Sequence, residues 1–165
     1  MDAVAGRVEV ERVLRALEPR VRGLARRCLG RRGDADDVAQ EVHARALAGS
    51  AAFRGEADLK TWIYRIAANV IADLMRSPFR RRRRPLADRA DSGPGPGEAA
   101  ERRETRDAVR RAVAALPPEQ RIVLVLREYE GLRYREIAAI VGIPLGTVES
   151  RLHAARLRVA RELSR

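Results

Sequence analysis

The chain has one cysteine, two histidines, one tryptophan, two phenylalanines and, among its 34 basic residues, a single lysine, Lys60. Each shortage excludes something. With Cys28 alone, no intramolecular disulfide forms and no cysteine cluster holds zinc, which fits a reducing compartment. His43 and His153 make no ligand set, so neither a metal nor another cofactor is expected. No stretch of 18 apolar residues occurs, and Met1-Asp2-Ala3-Val4 has no basic run leading into an apolar core; the expectation is a soluble, cytoplasmic protein. Aromatics make up 4% of the residues, so any core is built from Leu, Val, Ile and Ala, a mixture that favours helices.

What the chain has in excess is positive charge, +11 over 165 residues. A GC-rich coding sequence accounts for arginine over lysine but not for the net charge. A polyanionic partner does, because guanidinium forks pair bidentately with phosphate oxygens and guanine edges. Against this background Asp34, Asp36, Asp37 and Glu41 form an acidic run with no basic residue between them.

One segment interrupts the helical texture. Arg80 to Arg84 is followed by Pro85 and then Ser92-Gly93-Pro94-Gly95-Pro96-Gly97, without apolar periodicity. Residues 80–98 therefore read as a flexible linker between two small helical domains, 1–79 and 99–165, each near the lower limit for its own core. No strand pattern competes, and the fold class is all-α.

In the first domain a helix is expected from about Val8 to Leu29, with a break near Pro19 and an apolar stripe of Val10, Val13, Leu14, Leu17, Val21, Leu24 and Cys28. A second begins at Asp34 as N-cap, carries Val38, Val42 and Ala46 inward, and stops at Gly49. A third runs from about Asp58 to Ser77, before Pro78. Its apolar face is Trp62, Ile63, Ile66, Val70, Leu74 and Met75; Arg65, Asn69, Asp73 and Arg76 line the other.

In the second domain helices are expected over about Ala99–Ala115, Pro118–Glu130, Tyr134–Val141 and Pro144–Leu163. The last two have the mechanics of a helix-turn-helix, of winged-helix-like type. Ala138 is small where the helices cross, Gly142 suits a turn with positive φ, and Val148 returns to the core. Val148, Leu152, Ala155, Val159 and Leu163 face inward. Glu149, Ser150, His153 and Arg156 face outward, as base-edge readers in a major groove would. Arg151, Arg158 and Arg161 are better placed as phosphate contacts or solvated charges.

These segments resemble the extracytoplasmic-function (ECF) group of the sigma-70 family. The resemblance rests on Asp34-Ala35-Asp36-Asp37-Val38-Ala39-Gln40-Glu41-Val42, on Phe53-Arg54-Gly55-Glu56 with Thr61 through Asn69, and on Leu116-Pro117-Pro118-Glu119-Gln120-Arg121 through Arg151, in family order across nearly the whole chain. It implies an alternative sigma factor that binds RNA polymerase core, through the β′ clamp helices and the β subunit, and starts transcription at specific promoters. It assigns Asp36, Asp37, Gln40 and Glu41 to polymerase. It assigns Phe53, Arg54, Trp62, Arg65, Asn69 and Arg76 to the −10 element, with a flipped non-template base captured near Asn69. Thr147, Glu149, Ser150, Arg151, His153 and Arg156 fall to the −35 element. A cognate anti-sigma factor, commonly membrane-linked, is a further implied partner, whereas a small-molecule substrate is not.

This sequence also departs from the family pattern. Glu149 and Ala154 stand where basic residues are common, so the usual −35 preference does not carry over; Glu149 either accepts from cytosine N4 or avoids the DNA. His43 replaces an aromatic, and Ala68 a frequent arginine. Two other readings compete. One is a helix-turn-helix regulator acting without polymerase core, which has no need for the acidic helix or for the Trp62–Asn69 motif. The other is a nuclease using Asp34, Asp36 and Asp37 with Mg²⁺, which lacks a nearby histidine or lysine and a phosphate loop. The expectation is a protein that is not an enzyme.

Overall fold

A computed structural model of the chain describes residues 3–30, 32–53, 58–77 and 98–164. Arg54 and most of the expected linker lie outside these residues. Among them are seven α-helices: α1 (Ala3–Leu29), α2 (Arg32–Gly49), α3 (Leu59–Arg76), α4 (Glu98–Ala114), α5 (Pro118–Glu128), α6 (Tyr134–Val141) and α7 (Leu145–Leu163), with a 3₁₀ turn at Ser50–Ala52. No strand occurs among the described residues.

Helix α1 does not break at Pro19 as expected but runs through it. An interior proline costs roughly 3 kcal/mol. The turns on both sides are anchored by Leu14, Leu17, Val21 and Leu24, all buried, and this offsets the lost hydrogen bond. The helix stops at Gly30, whose φ of 77° is one that side-chain-bearing residues avoid. Helix α2 starts at Arg32, two residues earlier than expected, so Asp34 lies in the first turn and meets the helix dipole as a charge and not as the N-cap. Val38, Val42 and Ala46 are buried as expected.

Helix α3 differs more from its sequence pattern. Ile63 and Val70 are buried, but Trp62, Ile66, Leu74 and Met75 are only half-buried, while Tyr64, Ala67, Ala68 and Ile71 are buried instead. The buried arc is wider than one apolar stripe because two sets of neighbours cover it: α1 and α2 on one side, α5 and α6 on the other.

In the second half Pro118 opens α5 at a position where its missing N–H costs nothing. The Arg121 guanidinium ties two helix ends together. It donates to the carbonyls of Ala114 and Leu116 behind α4, and across to the Cys28 carbonyl at the end of α1, 2.6 Å away. A cation on orphan C-terminal carbonyls is favoured by both dipoles. Gly142 takes φ 74° and ψ 37° between α6 and α7, the left-handed turn expected of it. Val148, Leu152 and Ala155 are buried and Val159 is half-buried, but Leu163 is 46% exposed, against the expectation, because α7 outruns the helices it packs on.

The two halves are not held apart. Helix α1 packs on α4 and α5, and α3 on α5 and α6. One continuous buried cluster contains Leu24, Ile63 and Ile71 from the first half and Leu126, Ile137 and Leu152 from the second.

Candidate functional site

The residues singled out by sequence form three surfaces. On α2 the core contacts of Val38 and Val42 turn Asp36, Asp37, Gln40 and Glu41 to solvent, and all four are exposed. Asp36 accepts from Arg22 of α1, and Glu41 from Arg45 one turn on, at 2.6 Å. Both pairs are solvent-exposed, so they orient the carboxylates more than they stabilise the fold.

The second surface is the outer face of α3. Arg65, Asn69, Asp73 and Arg76 are exposed, and Arg76 donates to Asp73 at 2.7 Å. At the other end of the helix the Phe53 and Trp62 rings lie 5.1 Å apart with planes tilted by 48°. A Cβ added at Gly49 would come within 3.1 Å of the Trp62 ring, so the last residue of α2 seats that indole. Arg65 is already engaged: its Nε and Nη2 donate to the Ala139 carbonyl of α6, at 3.1 and 2.8 Å.

The third surface is the helix-turn-helix. Glu149, Ser150, His153 and Arg156 are exposed on α7, while Thr147 and Arg151 are half-buried. The Ser150 hydroxyl donates back to the Thr147 carbonyl at 3.1 Å. Arg156 donates through Nε and Nη2 to Glu128 Oε1, at 3.1 and 2.7 Å, and its Nη1 lies 3.4 Å from the Tyr134 hydroxyl. The Glu128 carboxylate, and then the Tyr134 hydroxyl, hold the arginine pKa above its ordinary value. Arg127 stacks its guanidinium 5.2 Å from the Tyr134 ring centre. Sequence reasoning assigned no role to Glu128 or Tyr134; no spacing rule ties the end of α5 to the middle of α7.

A fourth set of residues was also missed. The Tyr64 hydroxyl donates to Glu130 Oε2 at 2.7 Å, across the boundary between the halves, with Arg20 Nη1 at 4.0 Å from the same oxygen. Burial, reinforced by the carboxylate, raises the Tyr64 phenol above its ordinary value.

Comparison with known proteins places these surfaces. Residues 13–84 match the sigma-70 region 2 family and residues 106–159 match sigma-70 region 4. The first span holds the α2 and α3 surfaces and the second the helix-turn-helix, so the class is that of RNA polymerase sigma factors, which direct transcription initiation. The ECF RNA polymerase sigma-E factor of Escherichia coli K12 is 37% identical over 135 residues, covering 75% of this chain and 71% of that protein. The RNA polymerase sigma-H factor of Pseudomonas aeruginosa is 35% identical over 144 residues, covering 79% and 73%. The chain belongs to the ECF group of sigma factors. Its fold is similar to that of the sigma factor RpoE solved in complex with the anti-sigma factor NepR from Bartonella quintana, with TM-score 0.76, 23% identity, and 94% and 97% of the two chains covered. It is also similar to CnrH in complex with the cytosolic domain of CnrY, with TM-score 0.69, 26% identity, and 98% and 94% covered. Among the described residues no helix is long and apolar enough to cross a membrane.

Proposed function

We propose that α2 docks on polymerase core through Asp36, Asp37, Gln40 and Glu41, that α3 and the loop before it read and melt the −10 element, and that α7 reads the −35 element. The observation that carries this is the segregation of charge. An exposed acidic face on a chain of net charge +11 suits a protein partner, while exposed arginines and Asn69 on α3 suit phosphate and an unpaired base. Phe53 and Trp62 form an aromatic pair beside that stripe, where a base leaving its stack has a surface to lie on. Arg54 is included on its sequence position alone.

On this reading residues 1–79 and 99–165 are the two functional parts, and the chain is a cytoplasmic specificity subunit that contributes no catalytic group of its own. A cognate anti-sigma factor is its inhibitor; the sigma factor of similar fold solved in complex with the anti-sigma factor NepR supports this. The test is titration of purified Escherichia coli core polymerase with the chain, followed by melting of a promoter selected from random DNA. Asn69→Ala is expected to preserve core binding and to lower −10 opening at least about tenfold, as loss of one buried base contact does. Unchanged opening removes Asn69 from the site, and failure to bind core overturns the reading.

A further inference from the structure

We infer that Glu149 selects a C·G pair in the −35 element, by accepting a hydrogen bond from the cytosine N4 amino group and by repelling bases that turn only acceptors toward it. The inference rests on the assignment of α7 to the −35 element above.

Several glutamates on the helices of this chain are quenched by an arginine one turn on. Glu9 takes Arg12, Glu18 takes Arg22 and Glu41 takes Arg45. Glu149 has no such neighbour. The residues one turn away on α7 are Leu145 and Gly146 on one side, Leu152 and His153 on the other. Among the described residues nothing gives its carboxylate a hydrogen bond or an ion pair, although the chain carries a net charge of +11.

The fold has no other use for it. Leu145 opens α7, so Glu149 lies past the first turn, where the helix dipole favours a carboxylate. Its side chain is exposed and adds nothing to the core. Val148 and Leu152, both buried, turn it outward, and with about 3.6 residues per turn Gly146, Glu149 and His153 share one side of the helix. A Cβ at Gly146 would meet open space, so nothing at that position obstructs approach to the carboxylate.

A carboxylate carried into the major groove faces phosphates on both sides. Left without a donor, it weakens binding to every sequence. Only the cytosine N4 and adenine N6 amino groups donate in that groove. Adenine sets its N7 acceptor beside N6, against the second carboxylate oxygen, whereas cytosine has a C–H edge there. Cytosine therefore satisfies Glu149. Guanine and thymine present acceptors and repel it, so selectivity comes from rejection as well as attraction.

Neighbouring groups reinforce this bias. The Ser150 hydroxyl donates to the Thr147 carbonyl, which leaves its oxygen to accept. Arg156 has Nε and Nη2 on Glu128, and Arg151 is half-buried on the opposite side of α7 from Glu149. Neither guanidinium stands free beside Glu149 to read guanine in its place.

The experiment forms holoenzyme from Escherichia coli core polymerase and the full chain, selects −35 sequences from a random pool, and measures binding to promoters carrying the selected site. Wild type is expected to select cytosine at one position and to bind it roughly tenfold more tightly than guanine there. Replacing that cytosine by 2-pyrimidinone, which lacks the amino group, is expected to remove most of the advantage in wild type and to change nothing in Glu149→Ala. Glu149→Gln, with both a donor and an acceptor, is expected to accept adenine at the same position. If Glu149→Ala keeps every base preference and gains affinity by one factor on all sequences, the inference is overturned and the carboxylate is only repelled by the DNA. Full wild-type affinity for the 2-pyrimidinone site overturns it equally. Both outcomes leave polymerase docking in place. A wild-type chain that binds no core, or selects no −35 sequence, overturns the functional assignment and this inference with it.

Discussion

Arg156 closes a two-pronged ion pair on Glu128, with Nε and Nη2 at 3.1 and 2.7 Å from one carboxylate oxygen. The prongs that would grip guanine O6 and N7 are thereby engaged in an exposed intramolecular pair. Arg156→Ala is expected to weaken −35 binding by a similar factor on all sequences, and Glu128→Ala to do the same, because both position α7 and neither reads a base. Glu149→Ala is expected to change the preferred base at one position instead. Selection of −35 sequences from a random pool by each variant holoenzyme distinguishes the two patterns; relaxed preference at a single position in Arg156→Ala would make it a reader.

Cys28 is sealed in the core, and burial pushes its thiol from 9.0 up to about 12 against the opposing fields of Arg121 and Arg27. It is expected to resist iodoacetamide at about pH 8 until the chain is unfolded. Between pH 9 and about 12 the unfolded thiol is ionised while the folded one is not, so stability falls as pH rises, by roughly 1 kcal/mol per unit. Tyr64, also raised, adds to the loss above its ordinary value of 10.0. Urea titrations over this range are expected to show a shallower decline in Cys28→Ala than in wild type. Equal slopes would remove the thiol as the cause.

The continuous buried cluster predicts one unfolding transition for both halves. Leu24→Ala in α1 and Ile137→Ala in α6 each empty a fully buried position, at a cost of about 2–5 kcal/mol. Each is expected to lower the same calorimetric midpoint by several degrees. Two transitions, one sensitive to each substitution, would mean that the halves fold separately.

Gly142 has open space where a Cβ would sit, yet its φ is 74°. Gly142→Ala is therefore expected to cost about 1 kcal/mol through backbone strain alone, without a clash. A thermal melt that does not move would show that the turn relaxes into another conformation.

The helices, their order and the turn at Gly142 were legible because each depends on local signals: apolar period, N1 proline, a glycine where φ is positive. The acidic face of α2 was legible for the same reason, since Val38 and Val42 dictate which residues face out. Local rules misjudged Pro19, where tertiary anchoring overrides a helix breaker, and Leu163, where the pattern continues past its partners. They also misjudged α3: Trp62, Ile66, Leu74 and Met75, expected on its apolar face, are only half-buried, while Tyr64 and Ala68, left off that face, are buried. The partners of Arg65, Arg156 and Glu130 were beyond reach, because each pair joins residues 22 to 110 positions apart through packing that no spacing encodes.

The most direct test of the central claim is promoter-specific transcription from Escherichia coli core polymerase supplied with this chain and a random-promoter template pool. Discrete start sites are expected only when the chain is present, preceded by recurrent −10 and −35 sequences. The double substitution Asp37→Arg with Glu41→Arg is expected to leave helicity intact, both residues being exposed, and to cut the transcripts at least about tenfold through lost core binding. No added start sites with the wild-type chain, or equal transcription with the charge-reversed one, would contradict the account.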